Sequence, residues 1–358
     1  MEQRNEFNTM LQLIPQPAFR VENGVISHVN QAATAYFLQP GQPFAPMILS
    51  GKQEYEAFSA GELYVTLSLE GISVGARVSR LDDGNIVTFE QSAVSPHLQA
   101  MVLAAKTLKE PLDGILHLAG QILPVAAKES AELESQAAQM NRRLYQMMRI
   151  LNNMSDTAGY VQAESTRMET VEICSFLEEI LEKTSTFIQG NSVSIAYELP
   201  SEPIFILADT EKLERSVHNL MSNAIKFATP GTTVRTQLVH KNKRLYFSVS
   251  YAHPDSVPQG QIFNRYLRDP ATPEDPKHGL GLGMAIVCST AMLHGGAVLV
   301  DKTENGSRIT MSLQAKSNAS NEVRSPILRF DYAGEYDHCL LELADVLPPQ
   351  HYSIANLK

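Results

Sequence analysis

Between Met101 and Met154 the apolar residues keep a four–three rhythm, and they keep it twice. Met101, Ala105, Leu108, Leu112, Ile115, Ala119 and Ile122 make one run. Leu133, Ala137, Met140, Leu144, Met147, Leu151 and Met154 make the other. A heptad repeat draws one apolar stripe along a helix and asks for a partner over its whole length. Ser95-Pro96 marks the start, a capping residue followed by Pro at the first helical position. Pro111 stands inside the first run, where its ring opens the hydrogen-bond ladder and kinks the helix. Pro124 and the residues after it predict a break over 123–130. Two heptad helices on a short connection form an antiparallel hairpin. One hairpin cannot bury its seam, but two can pair into a four-helix bundle, so a homodimer is expected.

A second helix is legible in Asp209–Ala228. Leu213, Val217, Leu220, Ala224 and Phe227 form a packing stripe. Asn219, Asn223 and Lys226 recur at i, i+4 and i+7 and form a polar stripe about 110° away. Amide oxygens suit a hard cation such as Mg²⁺, and a Lys suits a phosphate. Some 50 residues later comes HGLGLGMAIV, with Gly279, Gly281 and Gly283 ahead of a helix running to Leu293. Glycines let a backbone approach phosphates closely, and a helix N-terminus adds N–H donors.

The remaining chain alternates strands and turns. Residues 12–91 hold hairpins at Asn23-Gly24 and Glu70-Gly71, a short helix at Asn30–Phe37 and a strand at Ile86–Phe89. Thr170–Thr186 reads as a helix. Strands follow at Ser192–Leu199 and Ile204–Ala208. Val234–His240 pairs with Arg244–Ser250, and Ala297–Lys302 pairs with Arg308–Gln314. A polar linker at 316–323 leads to a tail whose apolar helical stretch, His338–Leu347, is expected to dock on a domain. The fold class is therefore multidomain α+β, divided as 1–92, 93–162, 163–315 and 316–358.

Net charge is −10, which argues against nucleic acid or an anionic membrane surface as a partner. Cys174, Cys288 and Cys339 are few and far apart, in keeping with a reducing cytosol rather than a disulfide framework. No 18-residue apolar window and no signal peptide is visible, so a cytoplasmic chain without a membrane span is expected.

HNLMSNAIKFATPG, Ile262-Phe263-Asn264-Arg265-Tyr266 and HGLGLGMAIV resemble the asparagine, phenylalanine and second glycine boxes of the sensor histidine kinases. Gly306-Ser307 resembles the end of their ATPase domain. The resemblance covers 95–315, and PAFRVENGVISHVNQAATAYF resembles more loosely the start of a PAS sensor domain. It implies an α/β-sandwich ATPase domain of the gyrase–chaperone–kinase type over 163–315. It also implies a dimerising, phosphoacceptor-like hairpin over 93–162 and a PAS-like domain over 1–92. Asn219 and Asn223 would sit by Mg²⁺ and the phosphates of ATP or ADP. Lys226 would touch phosphate, and Gly279, Gly281 and Gly283 would shape the loop. The implied partner is a response regulator of a two-component system or another histidine kinase.

Two departures bear on activity. In AKTLKEPLDGI, Lys106 stands where the family has its phosphoacceptor His, and Thr107 where it has an acid. An ammonium has no lone pair to attack ATP, and a threonine cannot orient an imidazole. Glu110 replaces the residue that positions water for dephosphorylation. In SVSYAHPDSVP, Tyr251 or Ala252 stands where the family has its adenine-reading Asp, with Asp255 as a possible substitute. Losing that contact costs about 1–3 kcal/mol. His117, 11 residues after Lys106 and on nearly the same helix face, is an outside candidate acceptor. The expectation is a degenerate kinase acting through dimerisation and binding. The alternatives are an active protein-histidine kinase using His117, and a scaffold that binds no nucleotide.

Overall fold

The structure is a computed structural model, and it describes residues 10–81, 83–89, 96–159, 167–253, 282–315 and 336–357. The N-terminal part is built from β1 (Ala18–Glu22), β2 (Val25–Val29), α1 (Gln31–Thr34), β3 (Ile48–Ser50), α2 (Lys52–Ala57), β4 (Glu62–Leu69), β5 (Ile72–Leu81) and β6 (Gly84–Phe89). Asn23 and Gly24 both take positive φ at the first hairpin, as a tight Asn-Gly turn requires. Phe19, Phe44 and Phe89 pack edge to face in the middle of this part.

Two long helices follow, α3 (Pro96–Ala126) and α4 (Ala131–Gly159). Pro124 does not break α3. The helix runs through both Pro111 and Pro124 and ends at Ala126. The heptad seam divides between two surroundings. Ala105, Leu112, Ala119, Ala137, Leu144 and Leu151 are buried within the chain. Leu108, Ile115, Ile122, Leu133, Met140 and Met147 are 37–61% exposed.

The third part comprises β7 (Glu169–Glu172), α5 (Ile173–Phe187), β8 (Ser194–Glu198), β9 (Phe205–Ala208), α6 (Thr210–Phe227), β10 (Thr233–Lys241), β11 (Arg244–Ala252), α7 (Leu282–Leu293), β12 (Val298–Thr303) and β13 (Gly306–Gln314). Residues 170–172, which the sequence pattern assigns to a helix, belong to strand β7. β7 pairs antiparallel with β9, and Glu172 then caps α5 by accepting from the amides of Cys174 and Ser175. α5, α6 and α7 cover one face of β10–β13. Leu177, Leu181, Val217, Leu220, Val287 and Ala291 there meet Val234, Phe247, Val249 and Met311.

Strand β4 pairs antiparallel with β12, so that the N-terminal strands and the ATPase-like strands form one eleven-stranded sheet. The join is tight. A Cβ on Gly61 would lie 2.2 Å from the Val300 carbonyl oxygen, and Gly61 has φ +86°. Only glycine meets both conditions. Ser50 donates to the Gly296 carbonyl at 2.6 Å, and Arg244 reaches Glu54 at 3.1 Å.

The tail carries α8 (His338–Glu342) and a 3₁₀ turn at Pro349–Tyr352. It docks between α4, α5 and α6. Leu341, Leu343, Ala344, Leu347 and Tyr352 are fully buried. Tyr352 and Tyr336 stack edge to face on Tyr145, and the Tyr352 hydroxyl donates to the Leu340 carbonyl.

Candidate functional site

Helix α6 carries the site. Asp209 caps it by accepting from the Lys212 amide at 3.1 Å. The Asp209 amide in turn donates to His294 Nε2 at 3.0 Å, and His294 Nδ1 lies 2.7 Å from the Thr290 carbonyl. Those two contacts fix His294 as a neutral ring with its proton on Nδ1. They also tie the start of α6 to the end of α7. Burial pushes the His294 pKa below its ordinary value.

Both stripes of α6 are covered. Leu213, Val217, Leu220 and Ala224 face the sheet, as the period predicts. The polar stripe faces α4, α7 and the tail. Asn219 is 1% exposed, and Asn223 and Lys226 are half-buried. Asn219 donates through Nδ2 to the Arg215 carbonyl at 2.8 Å and accepts through Oδ1 from Arg149 of α4 at 3.4 Å. A Cβ on Gly283 would stand 2.6 Å from Asn219 Oδ1, so the glycine segment and the asparagine segment are in direct contact. Gly279, Gly281, Asp255 and Ile262–Tyr266 lie outside the described residues.

The tail supplies groups that the sequence pattern did not single out. Glu342 is fully buried. Its two oxygens take Arg149 Nε and Arg215 Nε, each at 3.3 Å. Asp345 takes Arg149 Nη1 at 2.7 Å and stands 3.9 Å from Lys226 Nζ. Asn219 and Lys226 thus face a guanidinium and two carboxylates. A Mg²⁺–nucleotide does not fit this face while the tail is docked, because the groups for its phosphates are already engaged and Asp345 would repel them. The local signal for this was present in CLLELADV: an acid inside an otherwise apolar stretch demands a buried cation.

At the other end of the expected pocket, Tyr251 lies on the inward side of β11 with Leu245, Phe247 and Val249. Its ring is 8% exposed, and burial pushes the phenol pKa up to about 12. Ala252 pairs with Gly306. His253 turns back, its Nε2 lying 2.7 Å from the Ser307 hydroxyl. Of the two positions where the resemblance puts a carboxylate, one thus holds an apolar-packed phenol and the other a strand-paired alanine.

Lys106, Thr107 and Glu110 are exposed on α3, and the Thr107 hydroxyl is spent on the Leu103 carbonyl at 2.8 Å. His117 is also exposed and bonds Gln121 at 3.0 Å. It lines a cleft of about 1220 Å³ between α3, α4, α5, α6 and the tail. His218 forms part of the same wall. It is 2% exposed, neither ring nitrogen has a hydrogen-bond partner among the described residues, and burial lowers its pKa. Among the described residues, no group of three or more His, Cys, Asp or Glu is placed to hold a metal ion.

Residues 208–317 match the family described as histidine kinase-, DNA gyrase B-, and HSP90-like ATPases. Sensor protein KdpD of Clostridium acetobutylicum is 25% identical over 211 residues, covering 56% of this chain and 22% of that protein. Adaptive-response sensory kinase SasA of Gloeothece citriformis is 24% identical over 221 residues, covering 58% of this chain and 54% of that protein. Full-length ShkA, solved in complex with AMPPNP, shares the fold with a TM-score of 0.50 at 23% identity. That match covers 62% of this chain and 47% of ShkA. The chain thus spans between about a fifth and about half of the length of these relatives. Residues 208–317 thus carry a histidine kinase-, gyrase- and HSP90-like ATPase domain, and over a wider stretch the chain is similar to sensor histidine kinases. No helix among the described residues is long and apolar enough to cross a membrane.

Proposed function

We propose that this chain is a degenerate, histidine-kinase-like signalling protein of a two-component system. It acts in the cytoplasm through dimerisation and through binding of a response regulator or another kinase. The observation that carries this reading is the pair of replaced groups. Lys106 is exposed on α3 in the acceptor's place, and Tyr251, packed into the core, or Ala252 beside it stands in the place of the adenine-reading Asp. An ammonium cannot attack a phosphorus, and a buried phenol with raised pKa cannot act as the carboxylate acceptor for an adenine amino group.

In this reading residues 1–92 are a PAS-like input domain, 93–162 the dimerising hairpin, 163–315 the ATPase domain and 316–358 a linker and docking tail. The exposed half of the heptad seam, Leu108, Ile115, Ile122, Leu133, Met140 and Met147, is the face that supports a homodimer. Asn219, Asn223, Lys226, Gly279, Gly281 and Gly283 form the retained phosphate and Mg²⁺ end of a nucleotide pocket whose base end has changed.

A second reading, an active kinase with His117 as acceptor, is favoured by one feature. His117 is exposed and lines the cleft that α6 also lines. Incubation with γ-labelled ATP and Mg²⁺ separates the two. The degenerate reading predicts no acid-labile, base-stable label on the chain. Label that disappears in His117→Ala would establish the active one.

A further inference from the structure

The two acids of the tail have different surroundings, and the difference suggests different jobs. Glu342 is sealed between Arg149 and Arg215 and has no exposed surface. Asp345 is at the edge of the same cluster, its side chain 30% exposed, between Arg149 Nη1 and Lys226 Nζ. The backbone beside it is pinned from α4. Arg142 donates to the Ala344 and Asp345 carbonyls at 3.2 and 3.3 Å, and Gln146 donates to the Ala344 carbonyl at 3.0 Å. A carboxylate held by an Arg and close to a Lys occupies the kind of place that a phosphate oxygen takes.

We propose that the segment Tyr336–Leu357 is an internal competitor for the anion-binding face of α6. Glu342 anchors the segment, and Asp345 stands in for a nucleotide phosphate at Lys226 and Arg149. The proposal rests on the reading of Asn219–Lys226 as the phosphate end of the pocket. Nucleotide then binds only when the tail withdraws, and its apparent affinity falls by the fraction of time the tail is away. The binding face of α6 and the contact between α4 and α6 become linked equilibria. Arg149 reaches Asn219, Glu342 and Asp345 together, so displacing the tail also loosens α4 from α6. The ligand class is the polyphosphate of a nucleotide with its divalent cation, and the competing group is built into the same chain.

The test uses the full chain and Asp345→Asn, an isosteric change at a partly exposed position that leaves the Glu342 anchor in place. Mg·ADP binding is measured by calorimetry. Hydrogen exchange of residues 338–347 is followed with and without saturating Mg·ADP. The expected result is at least about tenfold tighter binding to Asp345→Asn. Faster exchange in the tail of the unmodified chain on adding Mg·ADP is expected with it. The exchange readout separates displacement from a simple gain of positive field near Lys226. Equal affinity in both chains with unchanged tail exchange overturns the competition alone. Absence of binding to both chains at millimolar Mg·ADP overturns the nucleotide pocket and the competition with it.

Discussion

Arg149 and Glu342 meet at 3.3 Å with side chains 7% and 0% exposed, although 193 residues separate them in the chain. Arg215 closes the cluster from the other side of the carboxylate. Taking the buried carboxylate away leaves Arg149 with Asp345 and Asn219 and Arg215 with Asn153, but removes the fully buried charge that both guanidinium groups share. Glu342→Ala should therefore lower stability by about 3–5 kcal/mol, read from urea unfolding of the chain. A loss below about 1 kcal/mol would mean that the cluster is hydrated.

The contact between Asn219 and Gly283 can be tested by adding one methyl. Gly283→Ala forces a Cβ to within 2.6 Å of the buried Asn219 Oδ1. A destabilisation of about 1–3 kcal/mol is expected. In an Asn219→Ala background the added methyl meets no carboxamide, and most of that cost should vanish. A double-mutant cycle by thermal unfolding reads the difference. Additive effects would contradict the contact.

His218 and His294 predict a pH dependence of definite sign. Burial holds both below the ordinary value of 6.5, so the unfolded chain binds protons that the folded chain refuses. Their contribution is complete above about pH 6.5 and is lost as pH falls below it. The thermal midpoint should drop between pH 7.5 and 5.5. His294→Gln should have a smaller drop over that interval, since one of the two groups is gone. A midpoint that rises on acidification would contradict the assignment of neutral rings.

The exposed half-seam makes a prediction about association. Sedimentation of the chain should show a dimer. Ile115→Lys combined with Met140→Lys should give a monomer with unchanged far-ultraviolet circular dichroism, because both positions are already solvent-facing within one chain. A monomer without the substitutions would contradict the bundle.

The parts of this fold that could be read from sequence are those that repeat locally. The heptads of α3 and α4, the stripe Leu213–Val217–Leu220–Ala224 and the Asn23-Gly24 turn each follow from a period or a turn preference. What escaped the pattern was carried by distant partners. β7 is four residues long and exists because β9 pairs with it, so helix propensity nearby masks it. The β4–β12 join depends on two edges meeting across more than 200 residues, and edge pairing leaves no mark in either strand alone. Pro124 suggested a helix end, yet α3 continues two residues past it. At the site, Asn219, Asn223 and Lys226 were legible as a stripe. Their ionic surroundings were not, since Arg149, Arg215, Glu342 and Asp345 come from three separate segments.

The proposed pocket keeps its phosphate end and has Tyr251 or Ala252 in place of its adenine-reading group. Calorimetric titration of the chain with Mg·ADP and Mg·GDP tests this most directly. Weak binding is expected, with dissociation constants for the two nucleotides within about threefold, because neither Tyr251 nor Ala252 offers a carboxylate to the amino group of adenine. Tight binding of Mg·ADP with a preference over Mg·GDP of about 100-fold or more would contradict it.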